Sequence, residues 1–521
     1  MDNVKKYVHH KKSDGKVYVY EVLENYWDKD KKQARNKQRC IGQLDPVTGE
    51  VIPSKRLGGH AKPAMDPEIK AKTSITGPSL ILSKVSRECG LTKVLKQVFP
   101  EYWAEILSLA WYILSTGSAL SHAEIWCQNH DVPSKRVLSS QRISELLDTL
   151  SEGDRQMFFS IWGQSIIAKD YLCYDITSVS SYAEYNEYVR YGYNRDKEDL
   201  PQINIGMVYG QQSMLPVAYR QLPGSINDVA TLIHLLDMFA KLDFPKLHLI
   251  MDKGFYSESN IDALAEGGHN FTIGVSAYLK WVRDIIDEDR HLIDGPSGYH
   301  EHDGEVVYAH TRLLSWGETK RRAYIHIYYD AEKVAKDRVQ FDQNLYKWKH
   351  ELEEDRRVAA NTSYYERYFI CKTTPKRGLQ VSFNVENILA ARKEYVGFFA
   401  ILTTKFKDPL QALDVYREKD VVEKCFDDLK NDLDSKRIRV HKSGRMQSRL
   451  FIQFIALILM SSIRTTMKAS HQNKRYTVKS LIWEMESLTT IRYSGKYKNK
   501  QSEVTKAQRN ILEAFGIEVG G

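Results

Sequence analysis

Short apolar runs bounded by turn residues occupy the middle of the chain, and two helical patterns lie among them. Runs of this length between polar turns are typical of β-strands. The helical patterns are Asp228 to Lys241 and Ser257 to Glu266, where apolar residues recur every three or four positions. The order is three strands, helix, strand, helix, strand, which predicts an α/β domain. The runs are Tyr171 to Ile176, Ile203 to Tyr209, Leu215 to Arg220, Leu247 to Met251 and Phe271 to Val275.

This order of elements also predicts how the strands are connected. Three successive strands favour a meander of hairpins, whereas strands that follow helices favour parallel crossovers. Such a sheet is compatible with a ribonuclease-H-like fold, and we place the first part of that core at residues 169–280. The strand pattern returns at Gly397 to Thr403, and Pro409 then begins a helical region. We therefore expect the second part of the core at residues 396–470.

The flanking segments have different patterns. Residues 1–75 mix short alternating segments with turn signals and predict a β-rich N-terminal arm. Residues 76–168 carry apolar residues at helical spacing and predict a helical module, which either reads a DNA groove or serves as a packing collar. Residues 281–395 combine a charged helix, Ala331 to Arg357, with apparent hairpin strands, and predict an inserted subdomain. Residues 471–521 form a basic C-terminal region.

Composition supports a folded protein of several domains. The chain has 521 residues, 42% hydrophobic and 27% charged, which is ordinary for a globular protein. Six cysteines lie far apart without a CxxC pair, so we expect a reducing cytoplasm and neither a disulfide framework nor a zinc knuckle. The start of the chain does not resemble a secretory signal. The apolar run Leu450 to Ile463 is shorter than a membrane span requires and predicts a buried helix.

The net charge of +8 is unevenly distributed. The segment from Lys430 to Arg449 is a basic stripe, and a second basic excess follows Arg464, interleaved with tyrosines. Phosphate backbones bind such surfaces, so both segments are candidates for DNA contact. The alternative is a solvated helix face followed by a frayed tail. The candidate DNA-binding residues of the stripe include Arg437, Arg439, Lys442 and Arg445.

Two aspartates occur at predicted strand ends. Asp175 lies at the polar end of the first strand, and Asp252 lies where the fourth strand ends, just before Gly254. A strand end holds a carboxylate rigidly while the following residues turn away, which suits metal binding. Taken alone, each aspartate is more often a turn former or a helix cap.

A row of polar residues on a predicted helix is more informative. Tyr416, Lys419, Glu423 and Lys430 are separated by three, four and seven positions, so they fall on one helix face. An apolar stripe that includes Val422 lies beside this row, which predicts that Glu423 sits at the edge of the core and lines a cleft. The alternative is a charged flank of ordinary salt bridges.

The spacing Tyr-x2-Lys-x3-Glu-x6-Lys resembles the Tyr-x2-Arg-x3-Glu-x6-Lys signature of the IS-four superfamily of bacterial DDE transposases. Lys419 replaces the arginine of that signature, which keeps the charge but loses the planar guanidinium. The resemblance covers about residues 170 to 460, and residues 40–49 also resemble the arm of the sixteen-thirty-four branch. Other segments agree in the same order: Tyr174 to Ser178, Gly192 to Asp196, Leu200 to Gln202, Pro223 to Asp228 and Met251 to Phe255.

This resemblance implies a retroviral-integrase-like catalytic core in which Asp175, Asp252 and Glu423 hold two Mg²⁺ ions, with Mn²⁺ as a substitute. It implies cut-and-paste transposition of an insertion sequence in bacteria, in which water cuts at the element ends and the freed 3′-OH attacks target DNA. The partners would be double-stranded DNA and a second copy of the chain. The protein would lie in the cytoplasm, associated with the nucleoid. Tyr416, Lys419 and Lys430 would contact the terminal DNA.

The family's β-rich insertion uses an aromatic residue to stack an unpaired base. By this resemblance Trp281, Trp316 and Trp348 are candidates here, and Trp316 is favoured because its surroundings predict a hairpin tip. The alternative is that each tryptophan belongs to the core of the subdomain.

Two other functions remain open: a nuclease of the same fold that cuts without joining, and a catalytically silent DNA-binding protein derived from a transposase. The absence of a GxxxxGK[ST] segment disfavours an ATP-driven helper. His300 and His302 could bind a metal, but their Gly- and Asp-rich surroundings predict an exposed loop.

Overall fold

The computed structural model describes residues 6–54, 71–167, 170–183, 185–316, 320–374, 378–393, 395–433, 437–438, 440–494 and 498–518. Contacts divide the chain into two units. One unit comprises Met1–Ala71 with Tyr493–Lys498, and the other comprises Lys72–Arg492 with Asn499–Gly521. The finer division into six segments stays a prediction.

The first unit contains a four-stranded antiparallel sheet whose strands are neighbours in sequence order. Alternating residues at its start, around Lys16 to Glu21, predicted a strand, and this is confirmed by the second strand. The two central strands are much longer than the outer ones. The strands are β1 (Tyr7–Lys11), β2 (Val17–Asp28), β3 (Gln33–Leu44) and β4 (Val51–Pro53).

The second unit begins with a short strand and a group of helices. The helical periodicity of this segment is confirmed, and Ser139 caps one helix by accepting a hydrogen bond from the backbone N–H of Arg142. These elements are β5 (Ala71–Ile75), α1 (Gly77–Glu88), α2 (Leu91–Val98), α3 (Trp103–Thr116), α4 (Ala123–Asn129), α5 (Ser140–Thr149) and α6 (Glu152–Ile167).

The five predicted strands and two predicted helices of the core are confirmed. The first three strands form an antiparallel meander, and the first, fourth and fifth strands run parallel to one another. This arrangement fits a ribonuclease-H-like core. The elements are β6 (Leu172–Ser181), β7 (Gln202–Gly210), β8 (Pro216–Pro223), α7 (Asp228–Lys241), β9 (His248–Met251), α8 (Glu258–Glu266) and β10 (Asn270–Val275).

The segment that follows contributes to the same sheet and also has a small core of its own. Its first strands extend the central sheet, while a helical part packs around Trp348 and Tyr368. The elements are α9 (Lys280–Ile293), β11 (Tyr299–His302), β12 (Glu305–Trp316), β13 (Arg321–Tyr329), α10 (Ala331–Glu353), α11 (Thr362–Tyr368), β14 (Phe369–Thr374), β15 (Gly378–Phe383) and α12 (Val385–Lys393).

The sheet is completed by a strand that lies between β13 and β10 and runs antiparallel to both. This strand is β16 (Phe398–Thr403), and a short strand, β17 (Arg437–Ile438), lies beside β6. Within the described residues, the order across the central sheet is β11-β12-β13-β16-β10-β9-β6-β7-β8. The later elements are β16 (Phe398–Thr403), α13 (Pro409–Arg417), α14 (Asp420–Asp427), β17 (Arg437–Ile438), α15 (Ser443–Ala469), α16 (Val478–Met485), β18 (Thr489–Tyr493), β19 (Lys500–Gln501) and α17 (Lys506–Ala514).

Helix α15 confirms the buried helix predicted from Leu450 to Ile463. By length and composition alone it could cross a membrane, but 78% of its most apolar window is buried inside the protein. A helix that is apolar on all sides is also what the centre of a large protein requires. It packs against α3, α5 and β8, so it joins the helical module to the sheet.

Candidate active site

Asp175 lies within strand β6 and not at its end, which corrects the prediction from sequence. The polar residues that follow it suggested the end of the strand, but Thr177, Ser178 and Ser180 continue the pairing with β7, Ser181 pairs with β17, and all four are buried. Buried hydroxyls are tolerated here because they find partners; for example, the Ser178 hydroxyl donates to Asn204 Oδ1 at 3.1 Å. The Asp175 carboxylate is therefore held by a strand paired on both of its sides.

Burial makes Asp175 unusually basic for a carboxylate. Desolvation raises its pKa from 3.8 to about 6, and the negative charge of Asp252 adds to the rise. The backbone N–H of Ile176, which donates to Asp175 Oδ1 at 2.8 Å, and the guanidinium of Arg195 offset part of this effect. A cation bound beside Asp175 would relieve the same electrostatic cost.

Asp252 directly follows strand β9, as predicted. The Tyr416 hydroxyl donates to Asp252 Oδ1 at 2.8 Å, so α13 orients the carboxylate at the end of the strand. Burial raises the pKa of Tyr416, and the charge of Asp252 adds to this, so the tyrosine remains a donor. Gly274 on β10 makes this contact possible, because a Cβ at that position would collide with the Tyr416 hydroxyl.

The predicted row of residues on one continuous helix is wrong, because the helix is interrupted. Tyr416 lies on α13, Lys419 lies at the break before α14, Glu423 lies on α14, and Lys430 lies in a π-helical turn from Asp428 to Asp432. Bonds of the tighter i to i+3 type close the break, such as Lys419 N–H to the Tyr416 carbonyl at 3.2 Å. Glu423 and Lys430 nevertheless line one cavity, and Tyr416 and Lys419 contact the carboxylates of Asp252 and Glu423 in its lining.

Glu423 is more exposed than its position beside the apolar stripe predicted. Its side chain is 66% exposed, and Lys419 Nζ lies 3.9 Å from Glu423 Oε1. Burial works to lower the pKa of Lys419, but the carboxylates of Asp252, Asp420 and Glu423 outweigh it and raise the pKa. Lys419 therefore balances part of the negative charge of all three candidate carboxylates, since its charge also lowers the pKa of Asp175.

The structure brings Asp175, Asp252 and Glu423 to one open cavity of about 640 Å³. Three separate elements thus supply an oxygen-only set of ligands, which is the set that Mg²⁺ and Mn²⁺ prefer. The three carboxylates do not form a closed cluster: among the described residues, ligand atoms within 4.8 Å of one another occur at His302, Asp303 and Asp414. The donor set fits divalent ions that are shared with a substrate and water.

The cavity also contains ion pairs that the sequence did not reveal. Arg195 donates to Asp228 Oδ1 at 2.5 Å, and Lys430 Nζ lies 2.8 Å from each carboxylate oxygen of Asp196. Lys430, predicted to contact DNA, is thus 11% exposed and already paired. The sequence indicates the segment from Gly192 to Asp196 only through the family resemblance. The ion pair could not be predicted from it, because 234 positions separate Asp196 from Lys430 along the chain.

The basic stripe does not line the cavity as a unit. Arg437 on β17 pairs with Glu198 at 2.7 Å, beside the site. Lys442 is exposed just before α15, and Arg445 makes two hydrogen bonds with Asp148 on α5. Arg439 lies outside the described residues. The DNA-binding roles of these residues stay predictions.

The tryptophans predicted for base stacking differ in their surroundings. Trp316 ends strand β12, donates from Nε1 to Asp262 Oδ1 at 3.2 Å, and lies edge-on to Trp281 with ring centroids 5.9 Å apart. Trp348 is buried in the small core of the inserted helices, where its ring stacks on Tyr364 at 4.5 Å. Trp348 is therefore a core residue, whereas the role of Trp316 stays a prediction.

The prediction of an exposed loop at His300 and His302 is wrong, because these residues form strand β11 at the edge of the sheet. Pairing with β12 overrides the turn-rich composition of this segment. His302 Nε2 lies 2.6 Å from Asp414 Oδ1, and the hydrogen bond to this carboxylate raises the pKa of His302. This contact ties the edge of the sheet to α13, the helix that carries Tyr416.

Comparisons with known proteins identify the family of the region that contains this cavity. A search of curated proteins finds no match. Among solved structures, the cryo-EM structure of a piggyBac transposase synaptic complex with hairpin DNA matches with 10% identity and a TM-score of 0.37, covering 79% of this chain and 76% of that chain. A family model described as "Transposase DDE domain" matches residues 168–459, which is more than half of the chain and includes all three candidate carboxylates. The chain therefore belongs to the family of proteins with a transposase DDE domain.

Proposed function

We propose that this protein cuts DNA at the ends of a bacterial insertion sequence and joins the freed 3′ ends to target DNA. The finer assignment to the IS-four superfamily is part of the proposal. The observation that carries it is the convergence of Asp175, Asp252 and Glu423 on one cavity within the region matched by the transposase family. Carboxylates from a strand, a strand end and a helix can share two ions while leaving room for a phosphodiester.

In this proposal Asp175, Asp252 and Glu423 hold two Mg²⁺ ions, for which Mn²⁺ can substitute. When bound, the ions would supply Lewis-acid activation and charge neutralisation at the scissile phosphate. The residues of the chain have separate tasks. Tyr416 orients Asp252 through its hydrogen bond, and the rigid strand β6 fixes Asp175.

Cationic side chains would position the DNA. Lys419 lies beside Glu423 and is influenced by Asp252, so its ammonium can bind a phosphate oxygen next to the carboxylates. Lys430 can do so once DNA competes with Asp196. Hydrolysis would break the bond between phosphorus and the 3′ oxygen, and the 3′-OH so released would attack a target phosphodiester and displace the 3′ oxygen of the target strand, which leaves as a new 3′-OH. By resemblance to the family, two copies of the chain would hold the two ends together.

Cleavage and joining of a labelled duplex test this function. The duplex carries the inverted repeat that borders the gene, and the protein is incubated with it and plasmid DNA in Mg²⁺. The wild-type protein should nick the repeat end and yield joined products, whereas Glu423→Gln should yield neither. Glu418→Gln is the matched control, because Glu418 is an exposed glutamate at the end of α13.

Each outcome discriminates among the functions. Activity retained in Glu423→Gln, Asp175→Asn or Asp252→Asn would overturn the assignment of these carboxylates. Cleavage without joined products would favour a nuclease of the same fold. Binding of the repeat without cleavage by the wild-type protein in Mg²⁺ or Mn²⁺ would favour a catalytically silent DNA-binding protein.

A further inference from the structure

We propose that the outer half of the β2–β3 hairpin is a two-stranded ribbon that inserts into the major groove of double-stranded DNA. We call residues 23–37 the ribbon. This inference rests on the proposed function, since it names the surface by which the protein would read the DNA that it cuts. The geometry, the exposed side chains and the charge of the ribbon each support it.

The ribbon extends past its neighbouring strands. Within the described residues, β1 pairs with β2 from Val17 to Glu21, and β4 pairs with β3 from Gly42 to Leu44. Beyond these positions β2 and β3 pair with each other alone, out to Asp28 opposite Gln33. Two strands lie about 5 Å apart, and the major groove is about 12 Å wide, so a ribbon of this width fits within it.

Both faces of the ribbon are accessible. Among residues 23–37 every side chain is exposed except that of Asp28, which is partly buried. Trp27 is 62% exposed and Tyr26 is 47% exposed, which is unusual for large aromatic side chains. A strand that serves only to complete a sheet would cover at least one of its faces.

The pairing register sorts the side chains into two sets. An irregularity at Leu23 shifts the register, after which Asn25 lies opposite Asn36 and Trp27 lies opposite Ala34 on one face. Asn and Gln amides carry both a donor and an acceptor, which is the pattern that reads the major-groove edge of adenine. Gln38 Nε2 donates to Asn36 Oδ1 at 2.7 Å, which orients the Asn36 amide.

The charge of the ribbon matches DNA. Residues 23–37 contain five cationic and three anionic side chains, a net charge of +2. One of the anionic residues, Asp28, is already paired with Arg35 at 3.5 Å. The lysines gather at the tip, where Lys29, Lys31 and Lys32 are exposed and can reach phosphates on either side of the groove.

The salt dependence of DNA binding tests the tip. Fluorescence anisotropy with a mixed-sequence duplex compares a tip variant with a control variant of equal charge at the opposite end of the same sheet. If three phosphate contacts are lost, the slope of log K against log salt should fall by up to about 2.7 in the tip variant and stay unchanged in the control. The tip variant is Lys29→Gln, Lys31→Gln, Lys32→Gln, and the control is Lys11→Gln, Lys12→Gln, Lys16→Gln.

Equal slopes in the two variants would overturn the proposal. A tip variant that binds DNA normally but loses self-association in sedimentation would overturn it too, because the ribbon would then contact a second copy of the chain. The substituted side chains are exposed, and thermal unfolding of both variants checks that the fold is retained.

Base reading is tested by selection of duplexes from a random pool. The wild-type protein should enrich a sequence, and the double variant Asn25→Ala, Asn36→Ala should bind that sequence about tenfold more weakly while binding unselected DNA equally. Enrichment of the same sequence by the double variant, or of none by the wild type, would overturn base reading by this face.

These outcomes are separable from the proposed reaction. Glu423→Gln should abolish cleavage and keep the salt dependence of the wild type, whereas the tip variant should cleave when DNA is saturating. A wild-type protein that binds through the ribbon without cleaving contradicts the reaction alone. A protein that cleaves DNA and binds it equally well with the altered tip contradicts the ribbon alone.

Discussion

Replacing Asp175 with asparagine should stabilise the metal-free protein while abolishing its activity. Asp175 is partly buried in β6, and desolvation raises its pKa from 3.8 to about 6, with a further rise from Asp252. Asparagine is neutral, and its carbonyl oxygen can still accept the hydrogen bond from the Ile176 N–H. The substitution therefore removes the cost of a poorly solvated charge and keeps the local hydrogen bond.

The size of the effect follows from the shift in pKa. A shift of about two units, at 1.36 kcal/mol per unit, corresponds to at most about 3 kcal/mol. A raised carboxyl pKa means that the folded state binds the proton more tightly than the unfolded state. The free energy of unfolding of the wild-type protein should therefore fall by up to about 3 kcal/mol as the pH rises from about 4 to about 6. That of the asparagine variant should not show this fall.

Calorimetry of thermal unfolding in the presence of a chelator, at pH values from about 4 to about 8, measures the difference in stability between the two proteins. A gain of about 3 kcal/mol corresponds to a rise in Tm of roughly 3 °C for a cooperative unit as large as the one that contains Asp175. Asp148→Asn is the control with the opposite sign. The hydrogen bond from Arg445 lowers the pKa of exposed Asp148, so its removal should lower the Tm at neutral pH.

Adding Mg²⁺ should reverse the order of stability. The wild-type protein gains free energy by binding the ion, about 2.7 kcal/mol at a hundredfold excess over Kd, while Asp175→Asn should gain little. A variant that is no more stable than the wild type at about pH 8 in chelator would refute the reasoning from desolvation. Equal stabilisation of both proteins by Mg²⁺ would refute the role of Asp175 as a ligand.

Three further changes probe other parts of the site. Glu423→Gln should leave the stability within about 0.5 kcal/mol, because the side chain is exposed, and should abolish Mg²⁺-dependent cleavage in a gel assay. Arg464→Met should cost about 2 to 3 kcal/mol in urea unfolding, because the carboxylate of Asp428, 1% exposed, loses its guanidinium partner and keeps Lys424 Nζ at 3.7 Å. Asp196→Asn should release Lys430 and tighten DNA binding by up to roughly fivefold in anisotropy at low salt.

A control variant and three possible outcomes would contradict these predictions. Asp199→Asn changes the same charge in the same loop as Asp196→Asn, and equal DNA affinity for the two would contradict a specific release of Lys430. If Arg464→Met is within about 1 kcal/mol of the wild type in stability, the buried carboxylate of Asp428 does not depend on Arg464. Unfolding of Glu423→Gln at lower temperature would show that its loss of activity is structural.

The sequence predicted the core well because its strands follow simple rules. Each of the five predicted runs is apolar, and the two intervening helices have clear periodicity, so order and connection followed from local pattern. The limits of β6 were not predicted, because Thr177, Ser178, Ser180 and Ser181 are polar residues, and burial of such residues depends on partners such as Asn204, far along the chain. Strand β11 was missed for a similar reason, since pairing with β12 overrides a turn-rich composition.

The candidate carboxylates were found from spacing and placement, whereas their electrostatic partners were not. Tyr416 and Lys419 still contact the candidate carboxylates although the helix breaks near Lys419, because hydrogen bonds between residues three apart keep the break short. Ion pairs such as Arg195 with Asp228 join elements that only the folded sheet brings together. The need for Gly274 opposite Tyr416 is likewise visible only in three dimensions.

Among the described residues, the charges that line the cavity leave the three candidate carboxylates and Asp427 without a close ion pair. Seven carboxylates and two cationic side chains are among the described lining residues. Ion pairs account for Asp196, Glu198 and Asp228, and the carboxylates that remain are Asp427 and the three candidates. A DNA phosphate could not approach these four negative charges without added positive charge, and Lys419 supplies only one. In the proposed mechanism two divalent ions would supply four positive charges, which would offset the negative charge of these carboxylates and let a phosphate approach.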